Sequence, residues 1–535
     1  MLQGLMQARP LLISSISDYA ELAHGRREIV SRLVDEPDWR YDYGGLALRS
    51  RKLANAMLAL GICPGDRVSS IAWNTHRHME LFFGITAFGG VLHTANPRLH
   101  EDQIVYTINH AGSRILFYDS SFRLLLERIR SRLPKVEHFL SLSQSDAAPS
   151  YEEIIATAPS QPAWPAFDEN SGAILCYTSG TTGNPKGVLY SHRSIVLHAM
   201  GAALPSAFGL TAFDVVMPCS SLYHATGWGL PFVAAIAGSK FVLPADRMDP
   251  TNLHELIERE GVTFTGGVPT IWTAYLDWLD RTMKTPASLK RVVIAGSAVP
   301  VSMAKAFHRT HNVEVLQLWG MTETCPLGVV ATPTPQLADR GEAAMWETIW
   351  TRQGRLQFGI ELKLVDEFGR KVPHDGKSTG TLMVRGPWVI ERYFGLDESA
   401  VDCEDWFDTG DVATIDADGF MRITDRAKDV IKSGGEWISS IDLENAAAGA
   451  QGVKIAAVIG LAHPKWEERP LLIVEPHDGA TIDISAVMEH LRSQVVRWWL
   501  PDSIIVADVP LTATGKIDKK QLRKRYEGYY VEGKL

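Results

Sequence analysis

The stretch YTSGTTGNPKGVLYSHRS, from Tyr177 to Ser194, gathers small hydroxyl residues and glycines around a single lysine. Thr178, Ser179, Thr181 and Thr182 supply hydroxyl donors, and Gly180, Gly183 and Gly187 let a backbone turn and come close to a ligand. Lys186 adds a mobile point charge, so the set suits a polyphosphate. The flanks ILCYT and GVLYS both read as strands. A Walker A loop joins a strand to a helix and follows its lysine with Ser or Thr, whereas Lys186 stands between Pro185 and Gly187. The run Gly528 to Lys534 has the Walker spacing only formally, because Leu535 follows it and no helix can open there. For an arbitrary Ser/Thr/Gly run the alternative is a plain solvent loop.

Working outward, 535 residues exceed one ordinary domain and predict a large body plus a separate module. Lys and Arg total 53 against 62 acidic residues, a formal net charge of -9, which excludes a global basic field for nucleic acid or an anionic membrane. Small-molecule chemistry is the better expectation. Cys63, Cys176, Cys219, Cys325 and Cys403 are scattered and form no C-x-x-C pair, which argues against a disulfide framework or a structural zinc and for reduced thiols in a cytoplasm. The N-terminal MLQGLMQARPLLISSISDYAELAHG is interrupted by Gln, Arg and Pro before a signal-type apolar core forms. No transmembrane segment is expected, since no stretch of about 18 uncharged apolar residues occurs. A soluble protein is expected.

From Leu46 to Lys135 helical patterns such as LALRSRKLANAMLAL alternate with short apolar runs such as DRVSSIAW and SRILFYD, predicting βαβ units and a largely parallel sheet. A second round follows the Pro/Ala/Ser-rich connection near Ala147 to Pro165, with strands in KFVLP, VTFTGGVP, KRVVIAG and VEVLQLWG. From Gly359 to Arg422 short alternating strands and turns predict a small β subdomain. After Asp425 a compact pattern restarts with KIAAVIG, a helix near Ile484 to Trp498 and a basic tail. The break lies at Thr424 to Lys428, giving residues 1–425 and 426–535.

TSGTTGNPKG resembles the phosphate-binding signature of the adenylate-forming superfamily, whose members include acyl-CoA synthetases, peptide-synthetase adenylation domains and beetle luciferases. The other motifs follow in family order: LWGMTETCP (Leu318 to Pro326), DWFDTGDVATIDADGF (Asp405 to Phe420), ITDRAKDVIKSGGEWIS (Ile423 to Ser439) and PLTATGKIDKKQLR (Pro510 to Arg523). The resemblance spans essentially the whole chain. It implies the α/β fold of that superfamily: a large N-terminal domain of α/β subdomains with the small β subdomain, and a smaller, mobile α+β C-terminal domain.

By resemblance, ATP, Mg2+ and coenzyme A are the small-molecule partners. Lys186 and the loop hydroxyls would hold the β- and γ-phosphates, with Gly296, Ser297 and Ala298 in AGSAVP joining the ATP-binding set. Trp319 would border adenine, Thr322 would donate to the α-phosphate, and Glu323 would offer Mg2+ a hard oxygen. Asp411 would accept the ribose hydroxyls, against an Asx turn as the bland reading, and Arg426 would touch ribose or phosphate. Lys516 would bridge the α-phosphate and the substrate carboxylate, and Lys428 would be the pivot about which the C-terminal domain turns. Gly434, Gly435 and Trp437 would line a pantetheine tunnel, the plain reading being a glycine turn between strands.

The acyl pocket would draw on Trp228 in LYHATGWGLPF, on Gly267, and on Gly320, Met321 and Cys325, with His224, by resemblance, the gate beside the adenylate and counted with Lys516, Thr322 and Glu323 as catalytic. For His224 and Trp228 core packing is the default alternative. No carboxylate occurs in Leu222 to Phe232 or Thr265 to Trp272, where an amino-acid substrate would need a partner for its ammonium. Segments such as HPKWEERPLLIV and VVRWWLPDSIIV resemble those of medium-chain fatty-acyl-CoA ligases and 3-methylmercaptopropionate-CoA ligases. A short to medium apolar carboxylate is therefore expected, with 3-methylmercaptopropionate leading and a medium-chain fatty acid or an aryl acid of the cinnamate type as the alternatives. A peptide-synthetase adenylation domain, a luciferase-like enzyme and a non-catalytic nucleotide-binding relative compete with this reading, and the resemblance allows a homodimer.

Overall fold

A computed structural model describes residues 1–144, 149–161, 165–178, 184–434, 436–477 and 479–531, with the side chain of Glu436 left aside. Ser179, Gly180, Thr181, Thr182, Gly183 and Gly435 lie outside the described residues. The chain forms two compact units that interleave in sequence: Met1–Thr265 with Gly320–Leu327 and Gly386–Ala400, and Gly266–Trp319 with Gly328–Arg385 and Val401–Leu535.

In the first unit, apolar runs with turns between them become a sheet ordered His138–Ser141, Ile115–Tyr118, Arg67–Ile71, Val91–Thr94, Gly172–Tyr177 and Gly187–Ser191. All neighbouring pairs but the last are parallel. Runs such as ILFY and VLHT are wholly buried, as strands covered on both faces must be. Helices Tyr43–Ala59, His76–Ala87 and Glu101–Ala111 alternate with the strands, each opened by a side chain that accepts a backbone N–H: Asp42, Thr75 and His100. The last strand pair is antiparallel, with Tyr177 opposite Gly187, so the chain leaves a strand through Thr178 and returns through Lys186 as another strand. Both flanks, ILCYT and GVLYS, are thus strands, as expected from their residues.

A second group in this unit pairs Val215–Pro218, Lys240–Leu243 and Glu28–Ser31 in parallel, with Trp39–Asp42 antiparallel at its edge.

The second unit pairs Arg291–Ala295 with Glu314–Trp319 in parallel. The β region expected over 359–422 is hydrogen-bonded to that pair through Val329–Val330 and Gly354–Leu356, then Phe420–Arg426, Phe407–Ile415, Gly380–Arg385 and Glu361–Val365, all antiparallel. Gly354 makes this junction possible: its φ is +123° and a Cβ there would lie 2.0 Å from the Val330 carbonyl carbon.

The C-terminal part carries its own sheet, ordered Glu436–Ile438, Ile431–Ser433, Glu467–Pro476 and Val453–His463, with Ser503–Val506 parallel to Glu467–Pro476. Strict alternation divides its core: Val458, Leu472 and Val474 face helices Ser440–Ala448 and Ile484–Gln494, while Ala457, Ile459, Leu471 and Ile473 face Leu522 of helix Lys519–Arg525. The helix expected near Ile484 to Trp498 ends at Gln494, because Val495 adopts an extended conformation and Trp498 falls in a separate 3-10 turn. Among the described residues no helix is long and apolar enough to cross a membrane.

Candidate active site

In the first unit, Thr178 and Lys186 close the base of the glycine-rich loop. The Thr178 N–H donates to the Lys186 carbonyl at 2.9 Å, and the Lys186 N–H donates to Thr178 Oγ1 at 3.3 Å. The Lys186 side chain is exposed, and its Nζ lies 4.6 Å from the ring centre of Tyr393. The Tyr393 hydroxyl donates to Glu323 Oε1 at 2.8 Å. Thr322 and Glu323 occupy a buried 3-10 turn, Thr322–Thr324, steadied by Thr324 Oγ1, which accepts the Met321 N–H at 3.0 Å.

Tyr190, buried on the strand after the loop, donates its hydroxyl to the Thr322 carbonyl at 2.6 Å. It lies beside the thiols of Cys176 and Cys325 and beside Glu323. Cys176 in turn takes a hydrogen bond from the backbone of Thr226, and burial pushes its thiol up to about 11. Thr178, Lys186, Glu323, Cys325 and the 224–229 segment thus gather around the end of one strand pair.

Residues Ala225–Gly229 are all at positive φ, Ala225 at 37°, Thr226 at 39° and Trp228 at 59°, forming a left-handed turn. Each non-glycine residue there costs on the order of 1–2 kcal/mol, strain that surrounding packing must offset. Gly229 is the tightest point, since a Cβ would lie 2.5 Å from His198 Cε1. Trp228 is buried, and His224 stands at the start of the turn with its N–H on the Ser221 carbonyl at 3.0 Å.

In the second unit, the Asp416–Gly419 turn sets the register that places Asp411 opposite Arg426 on adjacent strands. Asp411 is 7% exposed. The Trp319 indole N–H donates to its Oδ2 at 2.8 Å, and Arg426 Nε lies 3.5 Å from its Oδ1. Burial raises the Asp411 carboxyl above the usual range, with Arg426, Trp319 and Lys516 opposing the rise. Lys516 also lies next to Gly296: its Cε is 3.9 Å from where a Cβ on that glycine would stand. Ser297 and Ala298 continue the same loop, and Gly515 abuts Thr270 and Val268, just beyond Gly267. Sequence reasoning linked Trp319 to adenine; its bond to Asp411 is a further contact that spacing could not reveal.

The Asp425 carboxylate accepts the backbone N–H of Ser440 at 2.6 Å and its hydroxyl at 3.0 Å, tying the end of the strand to helix Ser440–Ala448. Burial lowers the Lys428 ammonium, with Asp429 opposing. The hairpin around Gly434 is antiparallel, Ser433 opposite Glu436, and Trp437 is exposed. Gly434 has φ +60°, and a Cβ there would meet Trp466 at 3.2 Å and Trp498 at 3.3 Å. Its lack of a side chain is therefore used first by two indoles, Trp466 from the connection between two strands and Trp498 from the 3-10 turn.

Tyr393, Tyr190 and Trp388 were not found by sequence reasoning. Tyr393 sits in ERYFGLD, where no charge cluster or glycine pattern marks it.

Among the described residues no group of three or more His, Cys, Asp or Glu could hold a metal ion. A single buried carboxylate such as Glu323 fits Mg2+ carried in with substrate phosphates and water, the usual way that ion binds.

The comparisons with known proteins agree with this geometry. Residues 19–394 match the family described as AMP-binding enzyme, and residues 442–516 match the AMP-binding enzyme C-terminal domain. The chain belongs to the AMP-binding enzyme family. It is 44% identical to the 3-methylmercaptopropionyl-CoA ligase of Ruegeria lacuscaerulensis, over 98% of this chain and 99% of that one. It is 43% identical to the medium-chain-fatty-acid–CoA ligase of Ectopseudomonas oleovorans, over 98% of this chain and 98% of the other. Its fold matches the crystal structure of the anthranilate CoA ligase AuaEII in complex with anthranoyl-AMP, with a TM-score of 0.85, 25% identity, and coverage of 97% and 99% of the two chains.

Proposed function

We propose that this chain is an ATP-dependent, AMP-forming acyl-CoA ligase for a short- to medium-chain apolar carboxylate, with 3-methylmercaptopropionate as the leading substrate. The observation that carries the reading is the buried Asp411 carboxylate, fixed by Trp319 and Arg426, with Lys516 and Gly296 in the same unit.

An acceptor held in that way suits the two ribose hydroxyls of ATP. The substrate carboxylate oxygen forms a bond to the α-phosphorus as the bond to the pyrophosphate oxygen breaks. Both reactants are anionic, so catalysis rests on orientation and on cations placed near the developing charge. Lys516 supplies one at the α-phosphate, and Lys186, with the hydroxyl of Thr178, another at the β- and γ-phosphates. Mg2+, bound through Glu323 with the nucleotide, would supply further charge neutralisation. In the second half-reaction the thiol sulfur of coenzyme A attacks the acyl carbonyl, AMP leaves, and the thiol proton passes to solvent or phosphate.

Residues 426–535 turn about Lys428 between the halves, withdrawing Lys516 and bringing the Gly434 and Trp437 hairpin to the site. The apolar substrate class is supported by the buried Trp228 and by the absence of any carboxylate in Leu222 to Phe232. The relatives' names support the same class. A cytoplasmic setting and a homodimer belong to the same reading.

The test is AMP release with and without coenzyme A over acetate to decanoate, methylmercaptopropionate, cinnamate and several amino acids. Coenzyme-dependent release peaking at roughly four to eight heavy atoms fits a pocket narrowed by Trp228. A peak at cinnamate or decanoate selects the aryl or longer-chain alternative. Release with amino acids alone, or none, overturns the ligase.

A further inference from the structure

Residues Gly386–Ala400 form a strap in the first unit that no motif assigned to the site. It is fastened at four places. Trp388 Nε1 donates to the Leu327 carbonyl at 2.9 Å, and the Ile390 N–H donates to the Glu323 carbonyl at 2.8 Å. The Phe394 N–H donates to the Gly187 carbonyl at 2.8 Å. Gly395 lies against His110, whose Nδ1 pairs with the Tyr177 hydroxyl at 2.8 Å.

Tyr393 sits between the second and third of these anchors. One side of the strap is fixed to the turn that carries Glu323, the other to the strand that begins just after Lys186. Its hydroxyl and its ring therefore address two groups at once: 2.8 Å to Glu323 Oε1 and 4.6 Å from the ring centre to Lys186 Nζ.

We propose that Tyr393 is a positioning residue that presets both charged groups for the magnesium nucleotide, its hydroxyl orienting Glu323 and its ring holding Lys186. This rests on the ligase reading above. The direction of this bond is fixed by chemistry, because an ionised carboxylate only accepts and the phenol hydroxyl 2.8 Å away is the donor. A hydrogen bond from behind fixes which oxygens of a carboxylate face a metal, and losing such a support commonly weakens metal binding about 10- to 100-fold. The ring has a different task. Lys186 is exposed on a flexible stem, and an aromatic face within about 6 Å attracts an ammonium and limits where it wanders. Side-chain ordering that precedes binding is a cost the nucleotide no longer meets.

The two tasks separate by substitution. Tyr393→Phe keeps the ring and removes the hydroxyl; Tyr393→Leu removes both. ATP affinity is measured by titration calorimetry on the full chain, once with MgCl2 and once with EDTA, with thermal unfolding recorded for each variant. Tyr393→Phe should weaken binding about 5- to 20-fold with magnesium, leave binding in EDTA unchanged, and hold the melting temperature. Tyr393→Leu should weaken binding in both conditions. Equal loss by Tyr393→Phe with and without magnesium, no loss, or tighter magnesium binding would overturn the assignment. Wild-type protein that binds no ATP at all would instead overturn the ligase reading itself.

Discussion

Two charged corners of this molecule are built in opposite ways. Asp411 in the second unit is buried and takes its position from strand register, with Trp319 and Arg426 as fixed partners. Lys186 in the first unit is exposed and leaves a loop base, with only an aromatic ring beside it among the contacts described above. On the proposed reading, Asp411 would accept two ribose hydroxyls in one geometry and gain from rigidity. Lys186 would meet phosphates arriving in solvent, gain from reach, and need only a resting place.

The sharpest way to test the contrast is through the third cation, Lys516. Lys516→Ala should cut adenylate formation by about 10²- to 10³-fold, the scale of a lost transition-state charge contact, while thioester formation from supplied acyl-adenylate stays within a few-fold. Equal losses in rapid-quench assays of both halves would remove Lys516 from the first step.

Next in size is the buried corner itself. Asp411→Ala leaves the Trp319 N–H and Arg426 without their acceptor, and ATP affinity should fall about 100-fold, or nearly 3 kcal/mol. Trp319→Phe, which removes only one donor, should cost about fivefold to tenfold in the KM for ATP. Equal effects of the two would mean that Trp319, not the carboxylate, dominates.

Acid should also find this corner first. Because burial raises the Asp411 carboxyl, ATP affinity should begin to fall on acidification at a higher pH than for an ordinary carboxylate. Arg426→Gln removes an opposing charge, so the fall should move to still higher pH; a profile shifted the other way would contradict the assigned pairing.

An effect on stability rather than on binding contrasts Asp411 with Asp119, a buried carboxyl outside the site. Asp119 accepts the Trp73 N–H at 2.6 Å, and burial pushes its carboxyl up to about 7 from an ordinary 3.8. Between those values the folded state binds the extra proton, so this group's contribution makes stability fall as pH rises. Asp119→Asn should flatten that slope, by at most about 3 kcal/mol, when urea midpoints are compared at pH 5 and 8. An unchanged slope would show that Asp119 titrates normally.

Much of the fold was legible because buried parallel strands carry unbroken apolar runs and helices carry caps. ILFY, KFVL and RVVIA each became a strand where the runs lay. The end of the helix after Ile484 was missed, since Val495 continues the apolar pattern while its backbone turns extended. The candidate site was suggested where a motif concentrates unusual residues, as in FDTGD, whose Asp411 is buried beside Trp319 and Arg426. Its partnerships were not. Trp319 and Asp411 are 92 positions apart, and only strand order brings them together. Tyr393 reads as an ordinary aromatic until the strap's backbone bonds put it between Glu323 and Lys186. Residues 179–183 of TSGTTGNPKG lie outside the described residues.

On the proposed reading, catalysis passes through an acyl-adenylate that coenzyme A then consumes. A single-turnover quench with excess enzyme, ATP, Mg2+ and 3-methylmercaptopropionate or octanoate tests this most directly. Acyl-AMP and pyrophosphate should accumulate together without coenzyme A, and adding coenzyme A should convert the adenylate to thioester and AMP. Pyrophosphate without an adenylate, or ADP and phosphate in its place, would contradict it.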